Sequence, residues 1–383
     1  MQPHSVYIHI PFCVRKCAYC DFLSFPDRLS AKEAYVDALC KEIRLTPSFF
    51  GKNEDCVETV YLGGGTPSLL SVEELTKILQ SLSETFRLSV DCEITLEANP
   101  GTVDEGKLLA FRKAGVNRLS LGIQSLCDPV LATLGRIHDA SQAERTIEAA
   151  QNAGFSNLSC DMMLGIPGQT MGDVERTLSF FLQRKIPHIS LYSLILEEGT
   201  PMYDRYGGDI EKYVSQEADR EMYHYVVSTL QKKGYSHYEI SNMALPGFES
   251  RHNLMYWRAE PYYAYGCGAH YYLGEERGRH EETPEAYIAV LQVPDPEKER
   301  IYIPEETLSL EDRKKEFMML AFRTGRGVVG AEFERRFGMS VESAFAKELE
   351  QERNAGLVEK YEDGYRLTEE GFDLANQVFG DYV

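Results

Sequence analysis

Six short β-rich runs, each followed by an amphipathic helical stretch, fill residues 5 to about 195. The runs are Ser5 to Ile10, Glu58 to Leu62, Glu93 to Ala98, Arg118 to Ile123, Asn157 to Met163 and His188 to Leu194. Consecutive β-α units leave few topologies open: they imply a parallel sheet joined by right-handed crossovers. Six units rather than eight predict an α/β fold built on a partial (β/α)6 barrel with a wide lateral mouth. Helix signals agree. Ser71 with Glu74, and Thr102 with Glu105, read as capping boxes. Gly115 and Gly154 stand where helices end, and Val174, Leu178, Phe181 and Leu182 form a core-facing stripe.

Chemistry-bearing residues recur just after these strands, where ligand sites lie in such folds. The first is the loop Cys13-Val14-Arg15-Lys16-Cys17-Ala18-Tyr19-Cys20. Three thiolates hold an iron–sulfur cube by three corners and leave one iron open to an outside ligand. A structural zinc would want a fourth ligand nearby. His9 is the nearest, and the period-2 pattern of its strand gives it a packing role. Gly63-Gly64-Gly65-Thr66-Pro67 follows the second strand without the Lys-Ser/Thr of a phosphate loop. Its glycines let backbone approach a ligand closely, such as an amino-acid ammonium held near iron. Glu97, Gln124 and Asp161 end successive strands. Each alone reads as a cap or solvated loop residue, but three around one mouth read as ligand contacts. Arg136 is a surface arginine on its own and a carboxylate clamp in this company.

Forty basic against sixty acidic residues give a net charge of −20, which repels nucleic acid. Nine cysteines, six of them scattered, fit a reducing compartment, and no signal sequence precedes the first strand. The longest apolar run, Phe317 to Phe322, is far short of a membrane span, so a cytoplasmic protein is expected. Beyond residue 200 come a helix from about Gln216 to Lys233, a strand near Tyr238 to Ile240 and an aromatic stretch, Phe248 to Tyr272. Residues 273 to 300 read as insertion and linker. From Pro304 short helices precede a hairpin, Leu357 to Glu359 with Tyr365 to Leu367, in winged-helix order. With 18 acidic and 11 basic residues from 304 onward, that module is assigned to packing or protein contacts rather than DNA. Expected domains are thus 1–200 (barrel), 201–300 (barrel extension and linker) and 301–383 (winged-helix-like).

The tract Tyr7-Ile8-His9-Ile10-Pro11-Phe12-Cys13 through Cys20, with Gly63 to Pro67, Glu97-Ala98-Asn99-Pro100 and Gly122-Ile123-Gln124-Ser125, resembles the radical S-adenosylmethionine superfamily. Together with Asp161 to Thr170, these segments are similar to the oxygen-independent coproporphyrinogen III oxidase group over essentially the whole chain. The resemblance implies that Cys13, Cys17 and Cys20 hold a 4Fe-4S cluster whose fourth iron is chelated by S-adenosylmethionine. It places Tyr7, Tyr19, Gly64, Gly65, Thr66, Glu97, Gln124, Arg136 and Asp161 on that cofactor. It further implies reductive cleavage of the sulfonium to a 5′-deoxyadenosyl radical that abstracts hydrogen from a substrate.

Two departures separate the chain from the oxidases. They carry a further cysteine two residues beyond the third, where this chain has Asp21-Phe22, and an N-terminal arm, whereas Cys13 here lies almost at the start. Both match the HemW-type heme chaperones, as does Arg251-His252-Asn253-Leu254-Met255-Tyr256-Trp257 against their His-Asn-x-x-Tyr-Trp pattern. By that resemblance His252, Asn253, Tyr256 and Trp257 become heme contacts, with His252 as an axial ligand. Cys267 and His270 form a second pair. The plain alternatives stay open: an aromatic segment packed as core, and a histidine satisfied by hydrogen bonds. The implied partners are heme and heme-accepting proteins, among them membrane-bound respiratory enzymes, and a homodimer is a further expectation. The expected function is heme carriage without oxidase activity. The alternatives are the oxidase itself and a radical enzyme acting on heme.

Overall fold

Alternation along the first six strands sets the two faces of the sheet. In the computed structural model, which describes residues 3–52 and 56–383, these strands are β1 (Ser5–Ile10), β2 (Cys56–Gly64), β3 (Arg87–Ala98), β4 (Arg118–Gln124), β5 (Asn157–Leu164) and β6 (His188–Ser193). They pair in chain order and all in parallel. Val6, Ile8, Ile10, Val60, Leu62, Leu96, Leu119, Leu121 and Leu158 join the main core formed with the surrounding helices. The alternate positions are polar: Ser5, Tyr7 and His9, then Thr59 and Tyr61, Glu93 and Glu97, Arg118 and Ser120, Ser159 and Asp161. A period of two therefore puts hydrocarbon toward the helices and polar groups toward the lumen.

The helices are α1 (Lys32–Phe50), α2 (Val72–Thr85), α3 (Glu105–Ala114), α4 (Asp128–Thr133), α5 (Ala140–Asn152) and α6 (Met171–Gln183). Ser71 and Glu74 close the expected capping box on α2. Thr102 does not cap α3. Asp104 does, accepting from Lys107 N at 2.8 Å, while Thr102 is engaged by Ser68 at 2.6 Å. The helix starts two residues later than a Thr102 cap requires, which is why the Thr102–Glu105 spacing misled.

The sheet does not stop at six strands. After α7 (Pro201–Tyr206) and α8 (Gln216–Lys232), β7 (Ser236–Glu239) and β8 (Asn242–Ala244) add antiparallel strands beyond β6. Past the short helix α9 (Arg251–Trp257), β9 (Tyr262–Tyr265) pairs in parallel with β1. The sheet continues through β10 (His270–Leu273), β11 (Glu276–Arg279) and β12 (Ile303–Thr307), making twelve strands. Residues 273 to 300 are thus not a linker. Between β11 and β12 lie α10 (Pro284–Gln292) and α11 (Lys298–Ile301), and the Tyr287 ring of α10 packs 5.1 Å from Tyr35 of α1. The tie is polar as well as apolar. Fully buried Glu42 of α1 binds His280 Nε2 at 2.7 Å and accepts from Tyr287.

The last strand of the large sheet ends at Thr307, so the C-terminal module begins after it rather than at residue 301. It comprises α12 (Leu310–Phe322), α13 (Gly330–Phe337), α14 (Val341–Asn354), the hairpin β13 (Val358–Tyr361) and β14 (Gly364–Leu367), then α15 (Glu369–Asp373) and α16 (Ala375–Gly380). It has its own core around Phe317, Phe322, Phe333, Phe345 and Val378. Among the described residues no helix is long and apolar enough to cross a membrane.

Candidate functional site at the barrel mouth

The cysteine loop leaves β1 and is held over the carboxyl ends of the strands. Ala18 N donates to Leu134 O at 3.0 Å, Met202 N to Ala18 O at 2.9 Å, and Phe25 N returns to Pro11 O at 2.7 Å. Arg15 Nη2 donates to Gly135 O and Arg136 O at 2.7 and 3.0 Å. His9 has the packing role its strand predicts. Its ring nitrogens lie 2.9 Å from Tyr7 OH and 2.9 Å from Leu23 O, so it fixes the loop's exit rather than completing a metal site.

A chain of contacts ties two of the three thiols together. Cys13 Sγ lies 3.4 Å from Thr66 Oγ1, which accepts from Asn99 Nδ2 at 3.1 Å. Asn99 Oδ1 accepts from Arg136 Nη2 at 2.6 Å, and Arg136 Nη1 donates to Cys17 Sγ at 3.4 Å. Arg136 Nη2 also donates to Gly122 O at 2.6 Å. Burial works against this guanidinium, but Tyr19, the Cys17 sulfur and Asp161 outweigh it and hold the charge on. Asn99 was not singled out from sequence, because nothing local in Glu-Ala-Asn-Pro marks a partner 37 residues away.

The triglycine turn is shaped by close approach. A Cβ on Gly65 would lie 2.7 Å from Phe12 O, and Gly64 holds φ +108° with the His9 ring against it. Any side chain there would push the cysteine loop off the turn. Gly64 N donates to Glu97 Oε2 at 3.1 Å, and Tyr61 OH to Glu97 Oε1 at 2.8 Å. Burial raises the Glu97 carboxyl to about 7 despite the Tyr61 bond, with Asp161 adding to the rise. Asp161 is pushed up to about 6 by burial, restrained by Ser190 and the Arg136 and Arg118 charges. Gln124 sits at φ 66°, an uncommon backbone for a residue with a side chain, at a register break between β4 and β5. Such strain gathers at functional sites.

These residues fit the cofactors that the sequence implies. Cys13, Cys17 and Cys20 are free, and among the described residues no three or more His, Cys, Asp and Glu gather around one point as a single metal ion would need. A zinc site would need its ligands to meet around one point, whereas each thiolate of a cubane binds a different iron. Burial lifts the Cys20 thiol to about 11, so cluster binding has to draw its proton off. Gln124 Oε1 and Arg136 Nε are buried without a protein partner, the mark of a polar ligand's place. Glu97 and Asp161 offer negative charge to a sulfonium and ammonium. Cys13, Cys17 and Cys20 would hold the cluster, which would supply one-electron chemistry to a bound S-adenosylmethionine; the chain's own part would be to orient that cofactor. Tyr7, Tyr19, Gly64, Gly65, Thr66, Glu97, Gln124, Arg136 and Asp161 all fall around this mouth.

The heme candidates do not converge. His252 is buried, with Nδ1 2.9 Å from Thr59 Oγ1 and Nε2 2.9 Å from Tyr256 OH. Burial drives its pKa down to about 3, so it is neutral, with both nitrogens engaged. It stacks on Tyr61 at 5.1 Å, and Glu93 caps its helix by accepting from Arg251 N and His252 N. Placed this way, the His252 ring plugs the barrel and offers no free nitrogen to a ligand. Tyr256 is its hydrogen-bond partner, and Asn253 N donates to the Ser250 cap. Trp257 carries Arg323 over its ring at 4.4 Å and lines a cleft of about 1670 Å³ facing the C-terminal module. Cys267 is fully buried, its thiol raised to about 12 by burial, while His270 is exposed on β10 beside Glu305. They form no pair.

Comparison with known proteins places this geometry. Residues 7–181 match the Radical SAM superfamily and residues 308–374 the HemN C-terminal domain. Heme chaperone HemW of Lactococcus lactis is 36% identical over 382 residues, covering 100% of this chain and 98% of that protein. The Bacillus subtilis and Escherichia coli proteins of that name are 36% and 32% identical, over 99% and 97% of this chain and 99% and 96% of theirs. The structure of coproporphyrinogen III oxidase from Escherichia coli superposes with a TM-score of 0.82 at 21% identity, covering 100% of this chain and 90% of that one. That likeness establishes the fold, and the full-length identities establish the kinship: the chain belongs to the HemW family of the radical S-adenosylmethionine superfamily.

Proposed function

We propose that the protein is a cytoplasmic heme chaperone, binding heme and passing it to acceptor proteins such as respiratory enzymes. The cluster and S-adenosylmethionine at the barrel mouth serve it structurally or as a regulatory state. The observation that carries this reading is end-to-end identity of 36% with relatives named as heme chaperones. Phe22 supports it, because it stands where the similar oxidases carry a further cysteine.

The intact chain from Cys13 through Thr66, Asn99 and Arg136 to Cys17 favours one second reading, a radical enzyme acting on a tetrapyrrole. One experiment separates the two. Anaerobically reconstituted protein is titrated with hemin, then incubated with S-adenosylmethionine, reductant and either heme or coproporphyrinogen III. Hemin binding with the tetrapyrroles recovered unchanged is the expected result. Formation of protoporphyrinogen, or of a modified heme detected by mass spectrometry, would replace carriage with catalysis.

A further inference from the structure

The side chains left exposed around the mouth are largely apolar. Val14, Phe22, Ile137, Tyr192 and Ile195 expose 52, 66, 46, 41 and 67% of their surface. They are five of the fourteen exposed large hydrophobic residues described: Tyr192 and Ile195 lie at and just beyond the end of β6, Val14 in and Phe22 just after the cysteine loop, and Ile137 beside the Gly135–Arg136 turn that Arg15 grips. Scattered singly they would need no explanation; carried on loops that hydrogen bonds tie together at the mouth, Ala18 to Leu134 and Met202 to Ala18, they mark a binding surface. The surface is anchored. Ala18 and Tyr19 of the cysteine loop pack on the cluster of Leu134, Met163, Leu194 and Met202, which joins the Val14–Phe22 side of the ring to the Ile195 side.

The charge beside this ring has a direction. Arg15 and Lys16 project from the cysteine loop in a chain whose net charge is −20. Bonds from Arg15 to two carbonyls of the Gly135–Arg136 turn hold its guanidinium at the rim, and Lys16 is exposed beside it. On the β6 side Ile195 is followed by the exposed acids Glu197 and Glu198. A flat apolar ligand with anionic groups on one edge fits this polarity in one orientation. The cleft beside Trp257 fits it poorly: nine acidic side chains line it against four arginines, and they oppose a dianion.

We propose that this rim is the heme platform. The macrocycle lies across the mouth on Phe22 and Ile195, bordered by Val14, Ile137 and Tyr192, with its propionates toward Arg15 and Lys16. The proposal rests on the heme-carrying reading and adds the place and orientation of the cargo. It has a second consequence. Heme seated there roofs the Glu97–Asp161 site, so cargo and S-adenosylmethionine no longer exchange independently.

The test uses the full chain with its cluster reconstituted, and hemin as the probe. Phe22→Ser with Ile195→Ser should weaken hemin binding at least about tenfold, as expected when two large apolar side chains under the macrocycle give way to small hydroxyls. Lys16→Glu should weaken it several-fold, with relief at high salt. Val90→Ser, an exposed position near the start of β3, should bind like wild type. Bound hemin should slow the release of labelled S-adenosylmethionine. Iron and sulfide analysis checks that each variant keeps its cluster; if the double variant loses it, Lys16→Glu and the exchange assay decide. Hemin binding unchanged in both rim variants, or release unaffected by hemin, overturns the platform and leaves heme carriage standing. Failure of the wild type to bind hemin overturns heme carriage itself.

Discussion

Glu97 and Asp161 carry the ionisation that matters at the mouth. Burial holds the two carboxyls at about 7 and about 6. A carboxyl raised in the fold contributes stability that is complete below its unfolded value and is lost as pH rises through the folded one. Here the charge appears where a cation is to bind, so binding and stability move in opposite directions. Affinity for S-adenosylmethionine should therefore climb between about pH 5.5 and 7.5, by up to about tenfold per unit below each transition. Glu97→Gln should remove the upper transition and leave the lower. Equilibrium dialysis of the reconstituted protein across that range reads both, and an unaltered profile in the variant would show that Glu97 does not face the ligand. These acids were legible in sequence because each stands on the lumen-facing parity in the carboxyl-terminal half of a strand. Asn99 and Tyr61 were not: their partners, Arg136 and Glu97, lie 37 and 36 residues away, and only strand parity points Tyr61 inward.

At the scale of elements, α9 is where a sequence motif and its structural use diverge. His252 and Tyr256 are four residues apart on a helix, the spacing at which side chains meet, and they bond each other. That spacing was readable and favoured the plain alternative. His252→Ala should leave Thr59 and Tyr256 without a partner and a void beneath Tyr61, at a cost of about 2–4 kcal/mol. Thermal unfolding should register a fall of several degrees, while the hemin spectrum stays that of wild type. Loss of the hemin spectrum at unchanged melting temperature would restore His252 as a ligand. The first six strands were legible because each pairs a buried apolar face with a polar one. β11 and β12 were not, since their short edge sequences are charged and half exposed, and the Glu42–His280–Tyr287 tie that seats them joins residues over two hundred positions apart.

The whole molecule is a barrel with a module docked by backbone. Ile240 N donates to Arg323 O at 3.0 Å and Gly325 N to Tyr238 O at 2.9 Å, with Arg336–Glu260 and Arg220–Asp373 pairs flanking the seam. The order of helices and hairpin revealed the module, but docking through main-chain groups leaves no pattern in side chains. Gly325 has no room at this seam: a Cβ there would lie 2.8 Å from His237 O, and carbonyl oxygen cannot move aside as a flexible side chain can. Gly325→Val should cost about 1–3 kcal/mol and loosen the seam. The two cores are separate clusters, one around Phe317 and Phe333 and the other lining the barrel, with Ile240 and Ala259 packed against the first at the seam. The expected result is thus separation rather than unfolding. Small-angle scattering should show a larger radius of gyration, limited proteolysis should cut near residues 295–310, and cluster content should stay at the wild-type level. An unchanged scattering profile would mean that the flanking ion pairs hold the module without the backbone bonds; loss of the cluster would mean that the module supports the barrel mouth from a distance.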